Sequence, residues 1–274
     1  MRLKGKILLH GKTDVGLLRD HNEDAIGCDE NIGLAVLADG MGGHRAGEMA
    51  SAITVSTILE YILDKSKSIK PGEADDETGY STESIIVHEA INLANQKVHD
   101  SSEANPQYRG MGTTVVVVLF YDNRFTVAHV GDSRLYRVRD GELEQITRDH
   151  SLMQELIDRG FYTAEQARNS LNKNLVTRAV GIDSNVQIDI QEDIAMVDDI
   201  YLLCSDGVTD MIEDQLIKSA IIENSDDLEK AASEIIRLSN EHGGKDNISA
   251  LLARPIKSFP AQNSLFSRIY DLFS

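Results

Sequence analysis

Apolar residues fall along this chain in two rhythms. Runs that are continuous or alternate with polar residues, at 7–13, 33–38, 115–121, 124–130, 135–138, 186–190, 200–204 and 248–253, predict eight strands. Asp122-Asn123 between the third and fourth runs predicts a hairpin turn. Positions at helical spacing predict two long helices, one over 48–63 through Ala52, Val55, Ile58, Leu59 and Ile62, the other over 81–99 through Ile85, His88, Ala90, Ala94 and Val98. Shorter stretches at 151–156 and 228–240 read the same way. From 115 to 146 strand follows strand with no room for a crossover helix, so the sheets are predicted to be largely antiparallel and the class α+β. The polar segment 66–80, with Pro71, Gly72 and Gly79, predicts an exposed, mobile loop between two helices and no domain boundary. Residues 149–181 have weak periodicity and predict a small inserted helical flap.

Length and charge narrow the class. A chain of 274 residues fits one large domain that needs no disulfides to stay folded. Its two cysteines, Cys28 and Cys204, form no C-x-x-C pair, which excludes a zinc ribbon, a thioredoxin-like motif and a disulfide-rich module, and favours a reducing cytosol. With 27 basic against 45 acidic residues the net charge is -18, which opposes binding to nucleic acid or anionic lipid. Ile7-Leu8-Leu9 after the basic start is too short for a secretory signal, and the longest apolar run, 115–121, is far below the roughly 20 residues of a membrane helix. A soluble, cytoplasmic monomer with no nucleic-acid or membrane partner is expected.

The candidate chemistry lies in carboxylates. Asp39-Gly40-Met41-Gly42-Gly43-His44 follows the apolar run Leu34-Ala35-Val36-Leu37-Ala38, Asp206-Gly207 follows Tyr201-Leu202-Leu203-Cys204-Ser205, and Asp246 precedes the run that begins at Ile248. Gly131-Asp132-Ser133 ends another strand. Any one of these reads equally as a turn aspartate. Three converging within about 5 Å would repel by roughly 3 kcal/mol per pair at an effective dielectric of 20, so protons or cations must offset them. Oxygen-only ligands select Mg2+ or Mn2+ over zinc. Arg19-Asp20-His21-Asn22-Glu23-Asp24 places a guanidinium beside acids, either to grip a phosphate or to pair on the surface with Asp20 or Glu23. The same segment mimics a calcium loop, but Ala25 and Asn31 stand where glycine and glutamate are required.

Arg19-x-x-Asn22-Glu23-Asp24, Asp39-Gly40-Met41-Gly42-Gly43, Gly112-Thr113-Thr114, Gly131-Asp132-Ser133-Arg134, Asp149-His150-Ser151, Thr177-Arg178-Ala179-Val180-Gly181, Ser205-Asp206-Gly207 and Lys245-Asp246-Asn247 occur in this order over about 10–253. Together they resemble the metal-dependent, type 2C protein serine/threonine phosphatases of bacteria. The resemblance implies a four-layer αββα sandwich, two antiparallel sheets flanked by helices, with a small helical flap. It also implies two or three Mn2+ or Mg2+ ions. Asp39 would bridge two, Gly40 would offer its carbonyl to one, and Asp206 and Asp246 would hold the other. Glu23 and Asp24 would reach the metals through water, Asp132 with Asp206 would hold a third ion, and Arg19 would bind the substrate phosphate. Many eukaryotic relatives have a histidine at Met41 that is a favoured general acid. His44 lies three residues on, and whether it, or metal-bound water, protonates the leaving group stays open, as does a capping role for it in the helix near Gly47.

Two metals can bring a bridging water towards hydroxide for in-line attack on phosphorus with no phosphoenzyme. Neither cysteine begins a C-x5-R loop, because Leu34 and Asp210 stand where arginine is needed, and no nucleotide-binding G-x-x-x-x-G-K-[ST] occurs. Phosphoproteins and a cognate serine/threonine kinase pathway are the implied partners. A phosphoprotein-binding module without turnover, or a small phosphoester substrate, are the competing readings. Residues 1–254 are read as the catalytic domain, with the flap at 149–181. Residues 255–274 are read as an amphipathic tail, with Leu265, Phe266, Ile269, Tyr270, Leu272 and Phe273 on one side of a short helix that docks on the body or on a partner.

Overall fold

The computed structural model describes residues 3–42, 45–69, 71–163, 166 and 175–261. Its strands are β1 (Ile7–Asp14), β2 (Asp24–Asp29), β3 (Leu34–Met41), β4 (Gly112–Thr113), β5 (Val115–Tyr121), β6 (Arg124–Val130), β7 (Arg134–Arg139), β8 (Glu142–Gln145), β9 (Asp189–Ile194), β10 (Ile200–Cys204) and β11 (Ile248–Pro255). One sheet runs β1-β11-β10-β7-β8, the other β2-β3-β5-β6-β9, with β4 paired to β3. Every pairing between these strands is antiparallel. Helices α1 (Ala46–Lys65) and α2 (Thr82–Ala104) cover the second sheet. Helices α4 (Asp206–Thr209), α5 (Asp214–Glu223) and α6 (Leu228–Glu241) cover the first. The short α3 (Leu152–Asp158) lies in the flap.

Alternation within the strands explains the layers. In β5 all seven residues are buried, because both faces of the strand are covered. Val116, Val118 and Phe120 join Leu37, Leu203, Tyr201 and Leu251 between the sheets, while Val115, Val117 and Leu119 meet α1 and α2. Tyr201 packs edge-on against Phe120 and Phe125, with ring centroids 5.2 and 4.9 Å away. The turn between β5 and β6 has positive φ at Asp122 and Asn123, 43° and 55°, as a tight hairpin of this twist requires.

Several local expectations shift. The run 186–190 is not the strand. β9 starts at Asp189 as an edge strand paired to β6, while Val186 and Ile188 pack beside the α1–α2 core. Besides the other seven expected strands and the shifted β9, β2, β4 and β8 form. α5 also forms, burying Ile217, Ala220 and Ile221 on one face. The chain at 66–80 is mostly exposed, tied down by an Ala74–Ser81 bridge and by the Gly72 amide donating to Glu83. The flap stem is stitched by Leu152 N–H to the Leu175 carbonyl (2.9 Å) and Thr177 N–H to the His150 carbonyl (2.8 Å). Phe259 is buried between the sheets, and its amide donates to Asn123. The apolar side of the tail, 265–273, and most of the flap tip lie outside the described residues. Among the described residues, no helix is long and apolar enough to cross a membrane.

Candidate active site

The carboxylates meet at one end of the sandwich, supplied by both sheets. Asp24 and Asp39 are direct cross-strand partners in β2 and β3, so their side chains leave the same face. In the other sheet, Asp206 opens α4 with only Ser205 between it and β10, and Asp246 precedes β11 with only Asn247 between. Asp24 is buried, and its Oδ2 accepts hydrogen bonds from Ser205 Oγ (2.8 Å) and Ser249 Oγ (2.6 Å), side chains that reach across from the opposite sheet. Among the described residues, Glu23 Oε1, Asp24 Oδ1 and Asp206 Oδ1 are buried and have no donor. A buried acceptor without a partner costs on the order of 1–3 kcal/mol, so three together mark a place built for something else.

Electrostatics points the same way. Burial, and then the charges of Asp24, Asp206, Asp132 and Asp246, hold the Asp39 carboxyl well above the usual range. Asp206 is raised by burial and by Asp132, Asp246, Asp210 and Asp24. Asp24 is pushed up to about 6 by burial, although the Ser249 and Ser205 hydroxyls oppose the rise. Asp132 reaches about 6 through burial and Asp149. Glu23 rises by burial, against Arg19 and the Gly47 amide. Among the causes of these shifts only Arg19, beside Glu23, and Arg134, beside Asp132, bring positive charge.

Neighbouring residues fix the donors in place. Asn247 Oδ1 accepts from Glu23 N–H (2.8 Å), and its Nδ2 donates to the carbonyls of Val15 and His21 (both 2.9 Å), fastening the Arg19–Asp24 loop to the Asp246 turn. Thr113 Oγ1 and Thr114 N–H donate to the Asp39 carbonyl at 2.7 and 2.8 Å. Gly40 donates its N–H to the Glu23 carbonyl, and a Cβ there would sit 2.1 Å from the Gly47 carbonyl oxygen, so no side chain fits. None of Asn247, Ser205, Ser249, Thr113 or Thr114 stands out in sequence as a site residue except as a member of a motif.

Arg19 pairs with Asp246, Nη2 to Oδ2 at 2.7 Å, instead of the Asp20 or Glu23 beside it in sequence, and 47% of its side chain remains open to solvent. Asp132 follows Gly131, whose amide donates to His150 Nδ1 (3.1 Å). His44 lies outside the described residues, and Met41 is half-buried at the end of β3.

A second cluster, His129, His150 and Asp189, brings three ligand-type atoms within 4.8 Å of one another. Two contacts argue against a metal there. Arg178 Nη1 already lies 2.7 Å from Asp189 Oδ1, and His150 Nε2 lies 3.3 Å from Asp189 Oδ2. Because His150 Nδ1 accepts from Gly131, its proton resides on Nε2, which is then no ligand. Burial, His129 and Arg178 lower His150 to about 4, so the ring is neutral.

The sequence model of the protein phosphatase 2C family matches residues 19–253. The chain belongs to that family. It is 36% identical over 243 residues to the serine/threonine protein phosphatase PstP of Mycobacterium tuberculosis, covering 88% of this chain and 44% of the relative. It is 34% identical over 244 residues to the serine/threonine phosphatase stp of Listeria monocytogenes, covering 88% and 93%. A crystal structure of the PstP catalytic domain in complex with two manganese ions matches this protein phosphatase 2C fold with a TM-score of 0.80 at 32% identity, covering 92% of this chain and 99% of that one. The chain thus spans less than half of the mycobacterial relative and nearly all of the listerial one. The family and the αββα architecture expected from the motifs are both borne out.

Proposed function

We propose that this phosphatase 2C domain hydrolyses phosphoserine and phosphothreonine in proteins with two or three Mn2+ or Mg2+ ions, and so counteracts a serine/threonine kinase in signal transduction. The observation that carries the reading is the crowding of Asp24, Asp39, Asp132, Asp206 and Asp246, with buried oxygens that no protein donor reaches. Oxygen-only donors suit hard divalent cations. The similar PstP catalytic domain, solved with two manganese ions, supports the same choice.

Asp39, the Gly40 carbonyl, Asp206 and Asp246 would hold two ions, with Glu23 and Asp24 contacting them through water, and Asp132 with Asp206 would hold a third. Bound there, the ions neutralise the carboxylates, acidify water and draw charge from the phosphoryl oxygens, which is the chemistry of in-line hydrolysis. Arg19, steadied by Asp246, offers its planar N–H fork to the phosphate. Asn247, Ser205 and Ser249 hold the carboxylate segments in register. The departing serine or threonine oxygen takes its proton from His44 or from water, and the alkaline limb of the pH–rate profile of His44→Gln separates the two. Both cysteines are unpaired, which fits a reducing compartment such as the cytoplasm.

The deciding experiment is turnover of a phosphothreonine peptide by purified protein with Mn2+. Asp39→Asn and Asp246→Asn should each abolish it, as should excess chelator. Full activity in chelator, or in both variants, overturns the reading.

A further inference from the structure

The segment between β1 and Arg19 displays apolar surface on an unusually fixed backbone. Leu17 and Leu18 are 64% and 71% exposed. Their amides both donate to the Gly244 carbonyl, at 2.7 and 3.2 Å. Gly16 N–H donates to Asp14 Oδ1 (2.9 Å), which also accepts from Asn240 Nδ2 (3.1 Å), and Asn247 Nδ2 holds the Val15 carbonyl (2.9 Å). Gly16 has φ +79°, and a Cβ on it would lie 2.2 Å from the Asp246 carbonyl oxygen, so the turn lies directly on the Asp246 segment. Single exposed leucines on a surface need no explanation. Here the backbone of two adjacent ones is held in place, and the next residue is the arginine assigned to the substrate phosphate.

We propose that Leu17 and Leu18 form an apolar seat for a bulky aliphatic side chain one or two residues from the phosphorylated residue of a substrate protein. The inference rests on the phosphatase reading and deepens it: the site selects flanking sequence as well as phosphate. Reach permits it. Consecutive Cα atoms are about 3.8 Å apart and an extended peptide advances about 3.4 Å per residue, so the near neighbours of a phosphoresidue anchored at Arg19 fall within reach of Leu18 and Leu17. Charge favours it. The chain carries a net -18, and Asp20 flanks the arginine on its other side, so acidic flanks are repelled and apolar ones are not. A backbone already fixed leaves only side-chain ordering to be offset on binding.

The test compares kcat/KM for phosphothreonine peptides carrying leucine at the two positions on either side with peptides carrying serine there, in Mn2+. The ratio of the two is the readout, so a general loss of activity cancels. The wild-type ratio should be on the order of tenfold, should fall towards one in Leu17→Ser/Leu18→Ser, and should survive in Leu17→Met/Leu18→Met. A wild-type ratio near one, or the same ratio in the serine variant, overturns the seat while leaving the phosphatase reading intact. An unchanged ratio together with a lower mass by light scattering in the serine variant would assign the patch to a second copy of the chain and overturn the seat as well. Wild-type protein that turns over neither peptides nor para-nitrophenyl phosphate in Mn2+ overturns the phosphatase reading, and the seat with it.

Discussion

Asp39 is a burden to the empty protein and an asset beside a cation. Its carboxyl, like those of Asp206, Asp24 and Asp132, titrates higher in the folded chain than in the unfolded one. Asp24 and Asp132 therefore hold more protons in the native state between the usual carboxylate pKa near 4 and about 6, and Asp39 and Asp206 add to the excess in the same direction, so without metal, stability falls as pH rises through that window. Asp39→Asn should invert the ordinary consequence of altering an active site. Turnover should drop by at least a hundredfold, while the metal-free protein gains about 1–3 kcal/mol at pH 8, read by urea denaturation in chelator. Arg19→Ala should lower kcat/KM for a phosphopeptide by about ten- to a hundredfold, and Arg19→Lys should recover only part, because a lysine lacks the forked geometry. Asp39, Asp132 and Asp206 were legible in sequence because each ends an apolar run within a short motif, Asp246 because it precedes one, and Asp24 only as a member of its motif. Their supporting contacts were not. Arg19 finds Asp246, and Ser205 and Ser249 find Asp24, across separations of 227, 181 and 225 residues, which local reading cannot bridge.

Elements with one clean period were readable, and those governed by their neighbours were not. β5, β6, β10 and β11 are sandwiched on both faces and announce themselves as apolar runs. β2 is an edge strand, Asp-Ala-Ile-Gly-Cys-Asp, whose pattern reflects the site it serves and not a core face. β9 was misplaced because the apolar residues just before it pack without forming the ladder. The ten residues of α5 carry a helical stripe too short to give a detectable period. The start of α2 adds a titrating device. Glu83 is fully buried there, and burial, with Asp122 and Glu192 nearby, raises it from 4.5 to about 7 despite amide donors including Gly72. A raised carboxyl stabilises the fold while protonated, so this contribution is present below about 4.5 and is lost as pH climbs to about 7, at a cost of about 3 kcal/mol. Glu83→Gln should flatten that part of the Tm–pH curve between pH 5 and 8. A wild-type slope in the variant would show that the site carboxylates account for all of it.

At the scale of the whole molecule, length, charge and strand order already indicated one antiparallel α+β body. What sequence did not disclose is that both sheets contribute to the acidic cluster. Cations bound there add to folding stability by mass action, about 2.7 kcal/mol at a hundredfold excess over Kd, so Mn2+ should raise Tm by about 5–10 °C and chelator should reverse it.

The interior seam is greasy along most of its length, closed by Phe120, Phe125, Tyr201 and Phe259, and turns polar where Ser205 and Ser249 grasp Asp24. Ions lodged at that mouth would act as rivets through two plates. Stripped of them, the molecule should open like a book from its catalytic edge: deuterium should enter the amides around residues 39–41, 204–207 and 246–249 soonest, with the aromatic spine the last to loosen.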